Sequence, residues 1–539
     1  MTYVVTQNCC NDATCVEVCP VDCIHPTPGE PDYASAELLH IDPAACIDCG
    51  ACAEVCPVDA IMPDHALTGA NRRYLDVNAD FFQRAGTPEP AVTRRVTRTA
   101  ATQPERLRVA IVGSGPSAFY AAENLLSRRD VDVEVTMIER LSFAGGLVRY
   151  GVAPDHAKTK SIERTFQRTL RRPGLTAYFD VEVGADLSID ELSAHHHAVL
   201  FATGADEDRR LGIPGDDLPG SHSAREFVAW YNGHPDFADR TFDLSHPQAV
   251  IVGNGNVALD IARILTADID RLQHTDIAEH ALDTLSTSAV RRVIVLGRRG
   301  PEAAACTTPE LLGLAADPGV DITVDDASSA GPGVPLKVQI LAEYGRRARR
   351  PGTRTIDFRF HTTPVELVGD THLTGLRVQR GRFDDSEVLG CGLLLRSIGY
   401  RGAPIPGLPF DATTGTVANE TGRVYDPGSG QPVRGRYVAG WIKRGPSGVI
   451  GTNRFCADET VHCLVSDFHS GILGAPTADP EALGRLIRSR CPHSFGVDGW
   501  IAIDRHERAQ GRLQGRARVK LVDAQSVRAT LAAEDGVRL

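Results

Sequence analysis

Four cysteines between residues 46 and 57 have a spacing that suits an iron–sulfur cluster. Cys46, Cys49, Cys52 and Cys56-Pro57 follow the pattern C-x2-C-x2-C-x3-C-P. Three thiolates at this spacing can surround one face of a cluster, and the fourth, before the proline, reaches a second cluster. The alternative is that these cysteines bind zinc or form disulfides. Because the thiols are clustered in a long chain that starts without a signal peptide, we predict metal ligands in a reducing cytoplasm.

An incomplete copy of the motif precedes this one. Laid on the same template, its positions are Cys9, Asp12, Cys15 and Cys19, so an aspartate stands where the second cysteine belongs. Cys10 adds a further thiol beside the first position, and both copies end in Cys-Pro-Val-Asp. The N-terminal part of the chain therefore resembles the seven- or eight-iron bacterial ferredoxins.

This resemblance implies two clusters with crossed ligation. A 4Fe–4S cluster is expected on four thiolates drawn from both copies: Cys19, Cys46, Cys49 and Cys52. The second cluster is left with three thiolates: Cys9, Cys15 and Cys56. Three thiolates suit a 3Fe–4S cluster, whereas Asp12 or Cys10 as a fourth ligand would make it 4Fe–4S, and the sequence leaves both open. Cys23 is expected to be a packed free thiol.

Composition and charge exclude other classes of function. The chain has 539 residues, of which 42% are hydrophobic and 23% charged, which is typical of a globular protein with three or four domains. No apolar run reaches about 18 residues, so we predict no membrane span. The net charge of −12 argues against nucleic acid as the main partner. We expect a cytoplasmic protein.

A first dinucleotide-binding unit is predicted after residue 105. The branched apolar strand Leu107–Val112 leads into G-x-G-x-x-A at residues 113–118, an amphipathic helix, and a second strand that ends at Glu139. This order of parts is the dinucleotide fingerprint in its required context. The glycines let a pyrophosphate approach the helix N-terminus, and Glu139 would accept hydrogen bonds from ribose hydroxyls.

The following stretch carries a second resemblance. Residues 146–156, Gly-Leu-Val-Arg-Tyr-Gly-Val-Ala-Pro-Asp-His, have the form found in adrenodoxin reductase and the related bacterial ferredoxin–NADP reductases. In that family the first fingerprint holds FAD. The resemblance implies flavin contacts in this part of the chain at Gly113, Gly115, Ala118, Glu139, Leu147 and Val183.

A second fingerprint occupies the middle of the chain. The strand Ala249–Val252 precedes G-x-G-x-x-A at residues 253–258, and a helical insertion around residues 267–288 delays the next strand, Arg292–Leu296. That strand ends in Gly-Arg298-Arg299 instead of an acid. Two guanidiniums at this position suit a 2′-phosphate, so we predict NADPH and not NADH. The alternative is an ordinary basic pair on the surface.

The family resemblance continues through this unit. It implies NADP contacts at Asn254, Gly255, Asn256, Val257, Arg298, Arg299 and Glu310. His156 and Glu310 are the family's polar residues near the nicotinamide. We expect them to orient groups or handle protons, because hydride transfer needs two rings held face to face and no side-chain nucleophile.

The last part of the chain is expected to complete the flavin domain. The strand at 393–398 is predicted to return the chain there, and a later strand, 436–440, is predicted to end on the flavin. The resemblance implies flavin contacts at Trp441, Gly448, Val449 and Ile450, with Gly448 shared with NADP. The final 70 or so residues (a rough count from the motif positions) are assigned only to packing.

These features predict an α/β protein with two Rossmann-like dinucleotide-binding domains, for FAD and NADP, preceded by a small α+β bacterial-ferredoxin domain. Residues 81–105 show no apolar period and are rich in proline and arginine, so they are expected to be a linker. The predicted parts are the ferredoxin domain 1–80, the linker 81–105, the flavin domain 106–245, the NADP domain 246–385, and the rest of the flavin domain with a C-terminal helical region, 386–539.

The predicted function is that of an FAD-dependent ferredoxin–NADP reductase. It would pass electrons from NADPH through FAD to its own clusters and on to a soluble redox partner such as a ferredoxin or cytochrome. Two alternatives remain open. One is an electron-input subunit like the small subunit of glutamate synthase, and the other is a reductase whose ferredoxin-like domain serves docking or sensing.

Overall fold

The computed structural model describes residues 2–85, 106–315, 317–325, 334–381 and 386–533. Residues 86–105, most of the predicted linker, lie outside this set. None of the helices in the described ranges is long and apolar enough to cross a membrane.

Residues 2–85 form a small α+β domain, called the N-terminal module below. Its elements are β1 (Tyr3–Val5), α1 (Thr14–Val18), β2 (Ile24–His25), β3 (His40–Ile41), α2 (Ala51–Val55), β4 (Ile61–Pro63) and α3 (Tyr74–Ala85). β1 pairs with β4 and β2 with β3, both antiparallel. Strand–helix–strand thus occurs twice, as expected from the doubled cysteine motif. The helix α3 continues past residue 80, where the linker was predicted to begin.

The next part of the chain builds the centre of a parallel sheet. Its elements are β5 (Leu107–Val112), α4 (Pro116–Leu126), β6 (Val133–Glu139), α5 (Leu147–Tyr150), α6 (Ala157–Lys160), α7 (Glu163–Leu170), β7 (Leu175–Phe179), α8 (Ile189–His195) and β8 (Ala198–Phe201). β5 lies between β6 and β8 and is parallel to both. Because it is covered on both faces, β5 is apolar at almost every position.

A second parallel sheet follows. Its region contains β9 (Glu207–Asp208), β10 (Ser221–Ser223), α9 (Ala224–Tyr231), β11 (Gln248–Val252), α10 (Asn256–Thr266), α11 (Ile269–Leu272), α12 (Glu279–Ser286), β12 (Arg292–Leu296), α13 (Thr308–Leu314), β13 (Val320–Val324), α14 (Leu336–Gly345) and β14 (Arg354–Arg359). The sheet has the order β10, β18 (Leu393–Arg396), β11, β12, β14, β13. The predicted helical insertion corresponds to α11 and α12.

The remaining strands complete the two parallel sheets and form several smaller antiparallel sheets. They are β15 (Thr362–Val368), β16 (Gly375–Arg380), β17 (Ser386–Gly390), β18 (Leu393–Arg396), β19 (Tyr400–Arg401), β20 (Phe410–Asp411), β21 (Thr416–Val417), β22 (Asn419–Glu420), β23 (Arg423–Asp426) and β24 (Gln431–Val438). β15–β17 form a separate antiparallel sheet. β22–β24 extend the first sheet, in which β24 is parallel to β8.

One strand differs from the sequence-based prediction. Leu393–Arg396 was expected to return the chain to the first domain, but β18 pairs with β10 and β11 in the second sheet. The chain returns to the first sheet only at β22. A short strand of buried leucines fits the interior of either sheet equally well, so its sequence does not determine its partner.

The C-terminal helices are α15 (Trp441–Arg444), α16 (Thr452–His469), α17 (Pro480–Arg490), α18 (Val497–Leu513) and α19 (Ala524–Ala533). A buried ion pair connects α18 to the first domain: Nη1 and Nη2 of Arg149 donate to the Glu507 carboxylate at 2.9 and 2.6 Å. Glu507 also accepts from Arg518, 3.0 Å away. Removing one member of such a buried pair typically costs about 3–5 kcal/mol. The C-terminal region therefore holds the 146–156 motif in place.

Candidate functional site

The turn after β5 has the geometry of a phosphate cradle. Gly113 has φ +102°, and a Cβ there would lie 2.7 Å from the carbonyl oxygen of Ala202. Gly115 has no heavy atom within 4 Å of the position of a Cβ. Space is therefore open directly in front of α4, whose first N–H groups favour an anion.

Glu139 lies beside this turn, at the end of β6. Its carboxylate accepts hydrogen bonds from Ser114, at 2.9 Å from the backbone N and 2.6 Å from Oγ, and from the Leu141 backbone N at 2.9 Å. Burial raises the pKa of Glu139 above its usual value, although these hydrogen bonds oppose the shift. The bonds hold the acid where a ribose would meet it. Ala118 is buried in α4 behind the turn, and Val183 follows β7 on the Glu139 side.

The segment after β24 lies across the start of α4. Ser117 donates a hydrogen bond to Asn453 Oδ1 at 3.0 Å, and Asn453 Nδ2 donates to the carbonyls of Val449 and Ile450, both at 3.1 Å. Trp441 begins α15 and donates through Nε1 to the carbonyl of Ser447, 3.0 Å away. The structure thus brings the predicted flavin contacts at 441–450 to the same turn as the first fingerprint.

Leu147 supports the same site from a third loop. Gly146, with φ +50°, approaches Gly115 so closely that a Cβ would lie 2.9 Å from the Gly115 Cα. Leu147, the next residue, is 44% exposed although it is a leucine within a folded domain. The open cradle, the held acid and this exposed apolar side chain fit a bound flavin dinucleotide.

The second fingerprint also has a glycine with positive φ at the turn between strand and helix, followed here by two asparagines that bond a neighbouring loop. Gly253 has φ +112°, and Asn254 and Asn256 accept hydrogen bonds from the backbone of Ala305 and Thr307 at 3.2 and 2.8 Å. Gly255 and Val257 continue this turn into α10. The structure therefore fixes both asparagines at the loop before α13.

Arg298 and Arg299 follow β12 and are both exposed. Within the described ranges neither guanidinium forms an ion pair with a carboxylate. Two unneutralised cations at the strand end, in place of an acid, fit the 2′-phosphate of NADP.

His156 and Glu310 lie together, with their nearest side-chain atoms 3.9 Å apart. Arg263, on α10, donates to His156 Nε2 at 2.7 Å and to Asp155 at 2.6 Å. It also lies 2.8 Å from Asp260 and 3.4 Å from Glu310. Because arginine only donates, Nε2 is the acceptor, and the proton of a neutral His156 is on Nδ1. Arg263 thus supplies one positive charge that three carboxylates share.

Four cysteines line one small cavity at the far end of the N-terminal module: Cys19, Cys46, Cys49 and Cys52. We call them the outer cysteines. Cys23 also reaches this cavity and is only 4% exposed, with its sulfur 3.5 Å from the sulfur of Cys19. The two halves of the module therefore combine at this site, as crossed ligation requires.

Cys9, Cys15 and Cys56 form a second group, the inner cysteines. Burial, followed by repulsion from Cys56 and Asp12, raises the pKa of Cys9 to about 12. Burial and the neighbouring thiols likewise raise the pKa of Cys15, and burial raises that of Cys56. Thiolates in such a setting need cationic counter-charge, which iron ions supply.

The spacing of the thiols does not suit a single ion. Zinc–sulfur bonds of about 2.3 Å would bring tetrahedral ligands within about 4 Å of one another. Among the residues that the structure describes, no three cysteines bring their ligand atoms within 4.8 Å of one another. Neither group of cysteines therefore forms a single-ion site among the described residues.

The inner cysteines lie against the segment of the predicted flavin contacts at 448–450. The backbone N–H of Gly451 donates to the Cys10 carbonyl at 2.6 Å. Arg454 donates to the Asp12 carbonyl at 2.9 Å and pairs with Glu17 at 2.6 Å. Ile450, Cys9 and Cys56 pack on one buried cluster that also contains Cys10. The N-terminal module is therefore docked beside residues 448–450.

The other side of the module contacts the second domain. Glu37 accepts from the Thr308 backbone N at 2.7 Å and pairs with Lys337 at 3.1 Å, and Arg73 pairs with Glu343 at 2.5 Å. The sequence predicted a linker that would tether the module, and the structure adds two docked interfaces.

Two functional features escaped the sequence analysis. Arg263 has no motif of its own, and only its position one helical turn after Asp260 could have suggested a role. The contact of Gly451 and Arg454 with the module joins residues more than 430 positions apart. Gly451 has a helical backbone (φ −72°) that alanine also adopts, so nothing in the local sequence marks its contact with the module.

Comparison with known proteins identifies the family. The model of the pyridine nucleotide-disulphide oxidoreductases matches residues 107–295, and that of the 4Fe-4S binding domain matches residues 39–62. The probable ferredoxin/ferredoxin–NADP reductase of Mycobacterium bovis is 49% identical, covering 97% of this chain and 94% of its own length. The protein of the same name from Mycobacterium leprae is 44% identical and covers 100% of this chain and 99% of its own.

A solved structure supports the reductase part. Mycobacterium tuberculosis FprA in complex with NADPH has 41% identity and a TM-score of 0.74, covering 79% of this chain and 100% of its own. The fold class predicted from the sequence is confirmed. This chain belongs to the ferredoxin/ferredoxin–NADP reductase family and is an NADPH-dependent, flavin-containing reductase with a ferredoxin domain fused to its N-terminus.

Proposed function

We propose that electrons from NADPH leave the reductase through the inner cysteines, continue to the outer cysteines, and pass to a soluble redox partner. When bound, FAD takes up the hydride of NADPH and releases single electrons, which iron–sulfur clusters carry. The observation that carries the proposal is the hydrogen bond between Gly451 and Cys10. It places the inner cysteines directly beside the predicted flavin contacts at 448–450.

The residues proposed to hold FAD come from the turn before α4, from α4 itself, from the end of β6, and from the segments after β6, β7 and β24: Gly113, Gly115, Ala118, Glu139, Leu147, Val183, Trp441, Gly448, Val449 and Ile450. The open space at Gly115 and the hydrogen bonds that fix Glu139 support this assignment. The residues proposed to hold NADP are Asn254, Gly255, Asn256, Val257, Arg298, Arg299, Glu310 and, shared with FAD, Gly448.

His156 and Glu310 are proposed to orient the nicotinamide and to hold a proton nearby. Arg263 keeps the His156 ring fixed through its Nε2 atom, 2.7 Å away. Burial raises the pKa of Glu310 above its usual value, which favours a proton-holding role.

Asp12 is proposed as the fourth ligand beside the inner cysteines. It occupies the template position of the missing cysteine, and its carboxylate accepts from Thr14 Oγ1 at 2.5 Å. Burial is the largest cause of the raised pKa of Cys9, Cys15 and Cys56, and the charge of Asp12 adds to the shift at all three thiols. The Cys10 thiol, 2% exposed, belongs to the buried cluster that Cys9 and Cys56 also contact, so Asp12 is preferred on its template position.

Changing Asp12 to cysteine is expected to produce a more stable 4Fe–4S cluster at the inner site, because thiolate binds iron more firmly than carboxylate. Iron content per chain and electron paramagnetic resonance (EPR) of the oxidised protein report this, since a 3Fe–4S cluster is paramagnetic when oxidised. Asp12→Ala should give the 3Fe–4S signal instead. Identical spectra for wild type and both variants would contradict the role of Asp12.

The proposed electron route is tested by mixing the anaerobic holoenzyme with NADPH and freezing samples for EPR. Both clusters should become reduced as fast as the enzyme turns over. A domain that serves only docking or sensing would keep its clusters oxidised on this timescale. An input subunit of the glutamate-synthase type would reduce its clusters but transfer no electrons to soluble proteins without a larger partner subunit.

Gly451→Ala tests the route. Gly451 has a helical backbone that alanine adopts freely, but its Cβ would overlap the backbone of Asn11 and Asp12. We expect cluster reduction by NADPH to slow roughly ten-fold or more, because a 1 Å displacement between reacting groups has large effects on rate. Reduction of ferricyanide, a small diffusible acceptor, should be unchanged.

Gly390→Ala is the matched control. Gly390 lies in β17, far from the module contact, and the nearest atom to its Cβ would be 3.9 Å away. If both variants reduce their clusters at the wild-type rate, the Gly451 contact is not part of the electron route.

A further inference from the structure

We propose that the end of the module around the outer cysteines is a docking surface for a redox protein with a positively charged face. This proposal rests on the proposed electron route. We define the outer patch as Val21, Asp22, Ile47, Asp48 and Cys49. Three of these residues line the cavity of the outer cysteines, and the two aspartates follow Val21 and Ile47 in the sequence.

The outer patch exposes apolar side chains beside the outer cysteines. Ile47 is 58% exposed and Val21 is 36% exposed, which is unusual for branched aliphatic residues. Cys49 is the only exposed one of the fourteen cysteines, all of which the structure describes. An apolar area with a polar border at a redox site is typical of a transient protein–protein contact.

The charge of the module determines the kind of partner. Residues 1–80 contain thirteen acidic and two basic residues, so they carry a formal charge of −11 out of −12 for the whole chain. One of the two bases, Arg73, is already paired with Glu343 of the second domain. Asp22 and Asp48 are exposed on the outer patch. A positively charged face would be attracted to this end, whereas a second copy of this chain would be repelled.

The inner cysteines cannot serve as the exit. Gly451 and Arg454 bond the backbone beside them, and Ile450 packs against the same buried cluster as Cys9 and Cys56. The docked module occupies this face, so an external protein cannot reach the inner group without displacing the module. The outer patch is therefore the accessible end of the route.

Two probes test the charge requirement. The first is a basic c-type cytochrome, and the second is the same cytochrome with its lysines succinylated, which reverses the charge and keeps the fold. The NADPH-reduced holoenzyme should bind and reduce the basic form with a KM that rises with ionic strength. Equal KM values for both forms, or no salt dependence, would overturn the proposal.

Carbodiimide cross-linking locates the contact without relying on turnover. The reagent joins carboxylates to lysines in contact, and mass spectrometry should identify Asp22 or Asp48 of the holoenzyme bound to cytochrome lysines. Cross-links confined to acids of the two dinucleotide domains, or the lack of any cross-link, would overturn the proposal.

The double variant Asp22→Asn with Asp48→Asn supplies the genetic test. Both positions have positive φ, 48° and 59°, a conformation that asparagine tolerates as well as aspartate does. At low ionic strength the KM for the basic cytochrome should rise about five-fold, since each rim charge contributes modestly. Asp217→Asn with Glu481→Gln, two exposed acids elsewhere, should leave it unchanged. A rise in both double variants, or in neither, would overturn the proposal.

The same samples separate this proposal from the electron route itself. Cluster reduction by NADPH, recorded by EPR, should be as fast in Asp22→Asn/Asp48→Asn as in the wild type. Clusters that stay oxidised in the wild type would refute the route. Reduced clusters combined with cross-links outside the outer patch would refute the docking surface alone.

Discussion

Replacing both Arg298 and Arg299 by serine is expected to lower kcat/KM for NADPH by about 10²–10⁴, because each charge-assisted contact with a phosphate contributes about 1.5–3 kcal/mol. The loss should appear mainly as a higher KM, since the 2′-phosphate lies away from the reacting ring and binds equally in ground and transition states. Steady-state kinetics with NADPH and NADH measure the difference. NADH lacks the 2′-phosphate, so its kcat/KM should change little.

Arg298 and Arg299 can be replaced without disturbing the fold, so the kinetics of the variant and the wild type can be compared directly. Both are exposed and form no ion pair in the described part of the chain, so their removal should not change the melting temperature. Arg346→Ser with Arg349→Ser removes the same charge from another exposed part of this domain and should leave both cofactors unaffected. Equal losses for NADPH and NADH would mean that the pair acts through general electrostatics and not through the 2′-phosphate.

The dinucleotide turns could be predicted from the sequence because the interactions that form them involve residues close together in the chain. A buried parallel strand, a glycine with positive φ and a helix start follow one another within a dozen residues. The strands predicted at Leu107–Val112 and Arg292–Leu296 have the same bounds in the structure. The cysteine motifs are equally local, since the spacing of ligands along the chain is itself the signal.

Contacts between distant parts of the chain could not be predicted in this way. The prediction that β18 lies in the first domain was wrong, because the sequence of a short, buried leucine strand does not show which sheet it joins. Arg263 could not be recognised because its importance comes from four partners that converge from different elements. Docking of the N-terminal module depends on Gly451 fitting the backbone at Asn11, a property of two surfaces and not of either segment.

Cys49→Ser is expected to remove most of the 4Fe–4S signal of the outer site and, with it, reduction of the basic cytochrome by NADPH. Cys49 belongs to the outer cysteines, and serine oxygen is a much weaker ligand for an iron–sulfur cluster than thiolate. Reduction of FAD by NADPH and of ferricyanide by the enzyme should continue at wild-type rates. EPR and stopped-flow absorbance of the flavin measure the two parts separately.

Cys463→Ser is the control for loss of a thiol as such. Cys463 is half-buried on α16, and its sulfur lies 3.3 Å from the Thr421 hydroxyl, a hydrogen bond that serine can keep. The EPR signal of the inner cluster in Cys49→Ser distinguishes two possible orders of electron transfer. If the inner cluster of Cys49→Ser is still reduced by NADPH while the cytochrome is not, the inner site precedes the outer site. If the cytochrome is still reduced at the wild-type rate, electrons leave the enzyme without the outer cluster, and the order inferred from the Gly451 contact is wrong.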